Sequence, residues 1–453
     1  MDTLPNEPQE SQRSGFHRTI ISSKEIEVLK RGWFRHVAHL IALSLLPMMA
    51  AAQNFRVQDF ALKDGETVVF YGDSITAQRL YTRFAEEFVL TRYPNLHVQF
   101  VNAGVPGDTT YGGYAGAMKE RVQRDVAPFH PDMITVMLGM NDGGYVPESA
   151  KIDAVFRKGY SDLLDELERN NPDAALTIIL PTPYDETTHG TDFPGYSSVI
   201  DQNAKDVAEI AARRRVFNDR PIKVVDFHGA LVDALERAKA QFPQLAPLLI
   251  PDRIHPADTG HWVMASTLLS AWNVTPIVSE LSLSAEKAYV IDKQRTTVSE
   301  LEKTATGVRW TQLDEALPLP LDFNNAMTKV LLGVFDIAKL DEQTLRAEGL
   351  APGQYQLWID GKMIATFSQD ELRRGVNLAL LKTPMLDQAR GIDWYEERRA
   401  TLDQARFILS AETAQKPDPA EAEARLRAAG DELAATIRTK LTPKPHHFEL
   451  RRE

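Results

Sequence analysis

Residues 65–273 predict an α/β fold built on a mostly parallel sheet with helices on both faces. Two observations predict it. Short apolar runs bounded by Gly, Pro, Asn and Asp alternate with helical patterns, the arrangement of βαβ units. Residues able to do chemistry stand just past several of those runs, at Gly72-Asp73-Ser74, Gly107 and Asn141, and again at Asp252 and His255. In open parallel sheets, ligands sit outside the carboxyl ends of the strands.

The elements follow in order. Val68–Tyr71 reads as a buried strand, and Tyr81–Leu90 as a helix. His97–Val101 is a second strand, ending in Asn102-Ala103-Gly104-Val105-Pro106-Gly107-Asp108. Ala115–Val126 is helical, and Met133–Leu138 is a third strand ending in Gly139-Met140-Asn141-Asp142. Ile152–Glu168 is helical, and Leu176–Leu180 is a fourth strand closed by Pro181-Thr182-Pro183. Asp201–Arg214, Leu231–Gln241 and Thr259–Trp272 are helical, with a short fifth strand at Ile222–Val225. No internal repeat of fixed period is visible.

After Asn273 the pattern changes. Tyr355, Leu357 and Ile359 alternate, Asp360-Gly361 follows, and Met363 to Phe367 return. Asp-Gly between such runs predicts a hairpin, because both turn positions need positive φ. Residues 387–410 and 419–441 read as two helices, the second striped by Leu426, Leu433, Ile437 and Leu441. The tail Pro443–Glu453 reads as loose, with His446 and His447 solvated. The expected organisation is therefore a leader and signal peptide at 1–52 and a catalytic domain at 53–273. A β-containing accessory module at 274–386 and a helical hairpin with tail at 387–453 complete it. The C-terminal part reads as a buttress.

The leader rests on Lys30, Arg31 and Arg35 before the apolar run Val37–Met49, then Ala50-Ala51-Ala52 before Gln53. Basic flank, short apolar stretch and small-residue cleavage site make a signal-peptide pattern. The run is too short to span a bilayer comfortably. The mature chain is expected to be exported, periplasmic or extracellular, with no stable membrane span. Of 453 residues, 25% are charged and none is cysteine, with a net charge of −12. That excludes disulfides, thiol catalysis and cysteine-built zinc sites. An acidic balance also argues against a nucleic-acid binder, which carries a basic footprint.

A serine is a weak nucleophile until a base takes its proton. His255 is the candidate base for Ser74. Asp252, three residues earlier, can curl back to hold the ring in one tautomer. The Ser74 and Gly107 amides and the Asn141 side chain can supply donors for a developing oxyanion. No cofactor or metal is called for, since the histidines lack metal-ligand spacing. Asp73 and Asp142 are read as loop-shaping acids, and His261 as a packing or capping residue. Tyr111–Tyr114 and Tyr184–Tyr196 are placed near the mouth of the site.

These blocks, in this order, resemble the SGNH hydrolase superfamily, the GDSL esterases and lipases, over about residues 65–273. Gly-Asp-Ser-Ile-Thr at 72–76 matches the nucleophile block, and Gly107 in Pro-Gly-Asp-Thr the glycine block. Asn141 in Gly-Met-Asn-Asp matches the asparagine block, with Met140 where a glycine is usual, and Asp252 to His255 the last block. The resemblance implies a three-layer α/β/α flavodoxin-like fold, no metal, and a ping-pong esterase mechanism. It implies nothing about residues 275–453. The leading expectation is an exported serine esterase that removes short acyl groups, such as acetyl, from a carbohydrate. A lipase or lysophospholipase and a non-catalytic polysaccharide- or envelope-binding protein are the alternatives. The partner is a small-molecule or carbohydrate ester.

Overall fold

The computed structural model describes residues 60–453 except 189, 191 and 413–418. The expected leader and signal peptide at 1–52 lie outside the described residues. The first sheet is built from β1 (Thr67–Gly72), β2 (Gln99–Gly104), β3 (Met133–Met137), β4 (Ala175–Leu180) and β5 (Lys223–Asp226). All four pairings are parallel, in the order β2-β1-β3-β4-β5. That is the flavodoxin-like order, whose switch point lies between β1 and β3. Every residue of β1 is buried, as expected of a strand covered on both faces. Val68 and Phe70 enter one core and Val69 and Tyr71 the other.

The covering helices are α1 (Leu80–Arg92), α2 (Ala150–Asn170), α3 (Tyr196–Arg214), α4 (Phe227–Gln241) and α5 (Asp258–Ala271). Residues of α1, α4 and α5 line the core that holds Phe70, while α2 supplies Phe156, Leu163 and Leu167 to the other. The expected helix at 115–126 is a single α-turn, Met118–Arg121, continued by a π-turn, Val122–Val126.

The C-terminal half contains two further sheets. One takes β6 (Ile277–Ser284), β7 (Tyr289–Gln294), β10 (Glu342–Glu348) and β13 (Val376–Asn377), in the order β7-β6-β10-β13. The other takes β8 (Thr296–Lys303), β9 (Gly307–Asp314), β11 (Gln354–Ile359), β12 (Lys362–Ser368) and β14 (His446–Arg452), in the order β8-β9-β14-β11-β12. The β11–β12 hairpin turns through Asp360 at φ 49° and Gly361 at φ 75°, as the sequence predicts. Between β9 and β10 lies α6 (Ala326–Val334), and α7 (Asp393–Glu412) and α8 (Pro419–Leu441) form the helical pair. No described helix is long and apolar enough to cross a membrane.

Two further expectations differ from the structure. The tail is not loose: β14 is the middle strand of its sheet, hydrogen-bonded to β9 and β11. Phe448 and Leu450 alternate into the core, and Phe448 stacks on Trp310 with ring centroids 5.2 Å apart. Each such side chain contributes roughly 1.5–3 kcal/mol on full burial. His446 is not simply solvated either, since its Nδ1 lies 2.6 Å from Asp360 Oδ2. The second difference is at residue 273. Val330, Leu331 and Val334 of α6 share one apolar core with Leu231 of α4 and Leu268 of α5. Packing therefore runs straight across the 273/274 boundary, and residues 60–453 form one compact unit.

Candidate active site

β1 delivers Ser74 to the carboxyl edge of the sheet at the switch point. Gly72 is needed there, because a Cβ would meet the Met137 carbonyl oxygen at 2.8 Å and crowd Thr76. Ser74 opens one helical turn, Ser74–Ala77, capped by Asp73, whose carboxylate accepts from the Ile75 amide at 3.0 Å. The last block folds into a tight turn. Asp252 Oδ1 accepts from the amides of His255 at 2.7 Å and Ile254 at 3.0 Å, with Arg253 in the left-handed region.

That turn aims the two side chains at each other. His255 Nδ1 lies 2.7 Å from Asp252 Oδ2, and Nε2 lies 2.8 Å from Ser74 Oγ. A carboxylate only accepts, so Nδ1 carries the proton and Nε2 accepts from the serine hydroxyl. Burial works to raise the Asp252 carboxyl, but the His255 and Ile254 amides and the His255 ring outweigh it. It is held below its usual range and stays ionised.

The other two predicted residues stand on adjacent loops. Gly107 has φ +74°, which favours glycine, and open space where a Cβ would be. Its neighbour Asp108 donates nothing from its carbonyl oxygen but accepts from Asn141 Nδ2 at 3.0 Å, joining the glycine and asparagine loops. Asp142 joins them again: one carboxylate oxygen accepts from the Thr110 amide at 2.9 Å and hydroxyl at 2.8 Å. Beneath the loop, Asp108 is fully buried against Arg121, which also reaches Asp125 at 3.1 Å. Burial pushes Asp73 up to about 7, against the pull of the Ile75 amide and with help from Asp142 and Asp108. Burial likewise pushes Asp142 up to about 6.

His261 accepts from the Tyr81 amide at its Nδ1, 3.2 Å away, and its Nε2 lies 2.9 Å from Gln78 Oε1. Burial takes it down to about 3, so the ring is a neutral strut under Gln78. Ser74, Asp252 and His255 share a cleft of about 370 Å³ with Gln78, Arg79, Tyr114 and Gln404. Gln404 belongs to α7, more than 300 residues beyond Ser74, and no signal in the sequence marks it. Tyr145 was also not singled out by any motif, yet its hydroxyl donates to Asn141 Oδ1 at 2.9 Å. A larger groove, about 760 Å³, runs along the β8–β12 sheet past Trp358. It holds none of this chemistry, and both of its arginines are paired, Arg309 with Glu302 and Arg451 with Glu449. Among the described residues no group of three or more His, Cys, Asp or Glu side chains is arranged to hold a metal ion.

Residues 70–263 match the GDSL-like lipase/acylhydrolase family. Over 222 residues the chain is 27% identical to an acetylxylan esterase from Geobacillus stearothermophilus, covering 45% of this chain and 93% of that protein. A crystal structure of an acetylxylan esterase from the same organism aligns at 22% identity and a TM-score of 0.38, over 47% of this chain and 97% of that one. The structure of a gut microbial diltiazem-metabolizing enzyme aligns at 25% identity and a TM-score of 0.73, over 86% of this chain and 98% of that one. That alignment reaches well beyond residue 273, so the C-terminal half belongs to an architecture shared with another enzyme. Residues 70–263 therefore carry the GDSL-like lipase/acylhydrolase, or SGNH, resemblance that the motifs predict, and the protein is a hydrolase of ester bonds.

Proposed function

We propose that this protein is an exported serine esterase that removes a short acyl group, such as acetyl, from a carbohydrate. One observation carries the reading: the unbroken hydrogen-bonded chain from Ser74 Oγ through His255 to Asp252, at 2.8 and 2.7 Å. In the reaction, Ser74 Oγ attacks the ester carbonyl carbon as its proton passes to His255 Nε2. Asp252 stabilises the imidazolium. The Ser74 and Gly107 amides and the Asn141 side chain hold the oxyanion. The C–O bond breaks as His255 returns the proton to the departing alcohol. Water then repeats the sequence on the acyl-enzyme, releasing the acid.

Two facts support a short acyl group on a polar alcohol. The cleft beside Ser74 is walled by Gln78, Arg79 and Gln404, side chains suited to hydroxyl groups. The curated relative at 27% identity is an acetylxylan esterase. A second reading, a non-carbohydrate small-molecule ester, is favoured by the similarity to the diltiazem-metabolizing enzyme, which extends over 86% of this chain. Export rests on the signal-peptide pattern at 1–52, and N-terminal sequencing of exported material should begin at or near Gln53.

The test is hydrolysis of p-nitrophenyl esters of increasing chain length, followed by acetate release from acetylated xylo-oligosaccharides and turnover of diltiazem. Fastest turnover at acetyl with release from the oligosaccharide supports the leading reading. Turnover of diltiazem alone selects the second, and a preference for long acyl chains refutes both.

A further inference from the structure

We infer that Tyr145 is a positioning residue for the oxyanion donor: its hydroxyl clamps the Oδ1 end of the Asn141 amide, whose orientation the Asp108 carbonyl sets, so that the amide is held toward the reacting carbonyl. The inference rests on the proposed role of Asn141. Its first support is a hydrogen-bond argument. Asn141 Nδ2 stands 3.0 Å from the Asp108 carbonyl oxygen, which can only accept. The atom there must therefore be the NH₂ end. The opposite atom is then Oδ1, 2.9 Å from the Tyr145 hydroxyl, and this hydroxyl must be the donor. A flipped amide would set oxygen against oxygen at Asp108. With both partners in place only one orientation is satisfied, and the second Nδ2 hydrogen is left for an oxyanion.

The second support is the backbone. Asn141–Gly144 is a turn closed by the Gly144 amide on the Asn141 carbonyl at 3.0 Å. Gly144 and then Tyr145 follow at φ 60° and φ 59°. Two successive left-handed residues bend the chain back on itself. Glycine adopts that conformation freely, but a tyrosine does not. Strained positions of this kind cluster at functional sites. Here the strain returns the phenol over Asn141, four residues back.

The third support is rigidity. The Tyr145 ring stacks on Tyr196 at 4.7 Å and leans on Phe193 at 5.0 Å. Tyr196 is itself tied by its hydroxyl to the Met140 carbonyl at 2.7 Å. The aromatic brace therefore grips both sides of Asn141, at Met140 and at Tyr145. Burial, with negative Asp73 nearby, pushes the Tyr145 phenol up to about 12, so it keeps its proton at neutral pH.

The experiment is a double-mutant cycle on the full chain with p-nitrophenyl acetate. Tyr145→Phe removes one oxygen and keeps the stacked ring. It should lower kcat about tenfold, the equivalent of one hydrogen bond, with KM within about twofold and the melting temperature nearly unchanged. In an Asn141→Ala background the same change should have no further effect. An unchanged kcat, a loss expressed in KM, or a fully additive loss in the Asn141→Ala background overturns the inference while leaving Asn141 in its role. Full activity of Asn141→Ala alone refutes the oxyanion reading, and the inference with it.

Discussion

Arg92, at the end of α1, and Asp341, just before β10, meet at 2.7 Å with both side chains fully buried. The same guanidinium also donates to the carbonyls of Thr275 at 3.0 Å and Leu340 at 3.2 Å. The pair joins the catalytic sheet's cover to the C-terminal half. Burial pushes Asp341 up to about 6 and Arg92 down to about 10, in each case against the attraction of the other. Loss of water thus outweighs the ion pair. Such a pair specifies a fit rather than adding much net stability.

Removing one partner should therefore be worse than removing both. Arg92→Met should cost about 3–5 kcal/mol, because it leaves Asp341 buried without a cation. The double change Arg92→Met with Asp341→Leu should recover part of that loss. Urea midpoints of the three proteins check it; a double variant weaker than the single one by the full sum would contradict the account.

The α7 helix is held against α1 by Arg399, which pairs with Glu86 and, at 3.2 Å, with Glu396. That contact sets Gln404 at the lip of the cleft. Gln404→Ala should raise KM for an acetylated xylo-oligosaccharide about two- to tenfold, the range of one neutral hydrogen bond. It should leave kcat, and both constants for p-nitrophenyl acetate, within about twofold. Steady-state kinetics on the two substrates decide it, and identical behaviour on both would remove α7 from substrate recognition.

Much of the site was legible because its signals are local. The four blocks are short, and Asp252 folds onto His255 within one turn, so spacing alone predicts their contact. The Asp360-Gly361 hairpin was readable for the same reason, since the turn's φ demand is written in two residues. The missed features depend on distant partners. The tail reads as loose from its own residues, and its strand exists only because β9 and β11 offer edges on both sides. Helix α6 is apolar enough to be a core helix of any domain, and nothing in its own residues says that α4 and α5 receive it. Tyr145 was hidden by its conformation, because a left-handed tyrosine has no sequence signature.

Asp73 should make stability fall as pH rises. Its carboxyl is pushed from 3.8 to about 7 in the folded chain, so the folded state holds a proton that the unfolded chain gives up. The sign follows from linkage: the contribution is complete below about pH 4 and is lost progressively up to about pH 7. Asp73→Asn keeps an oxygen for the Ile75 amide and removes the titration. Its urea midpoint should fall less than the wild type's between pH 4.5 and pH 7.5. Parallel slopes for the two proteins would show that Asp73 does not hold that proton.

Ser74, His255 and Asp252 should fail as a unit. Ser74→Ala removes the nucleophile and should abolish covalent labelling by a fluorophosphonate. His255→Ala removes the base and should lower kcat by several powers of ten, as loss of such a residue does elsewhere. Asp252→Asn should cost somewhat less, since it spoils tautomer and charge but leaves nucleophile and base in place. Asn141→Ala should lower kcat by about 10²–10³, the loss for one oxyanion donor. KM should change little there, because the donor bonds chiefly the tetrahedral state. Asp252 is held below the usual carboxylate range by its amide donors and the His255 ring, so its own protonation should cut activity only well on the acid side of neutrality. EDTA should leave the rate unchanged. Full activity in Ser74→Ala, or a chelator that silences the wild type, would sink the serine mechanism.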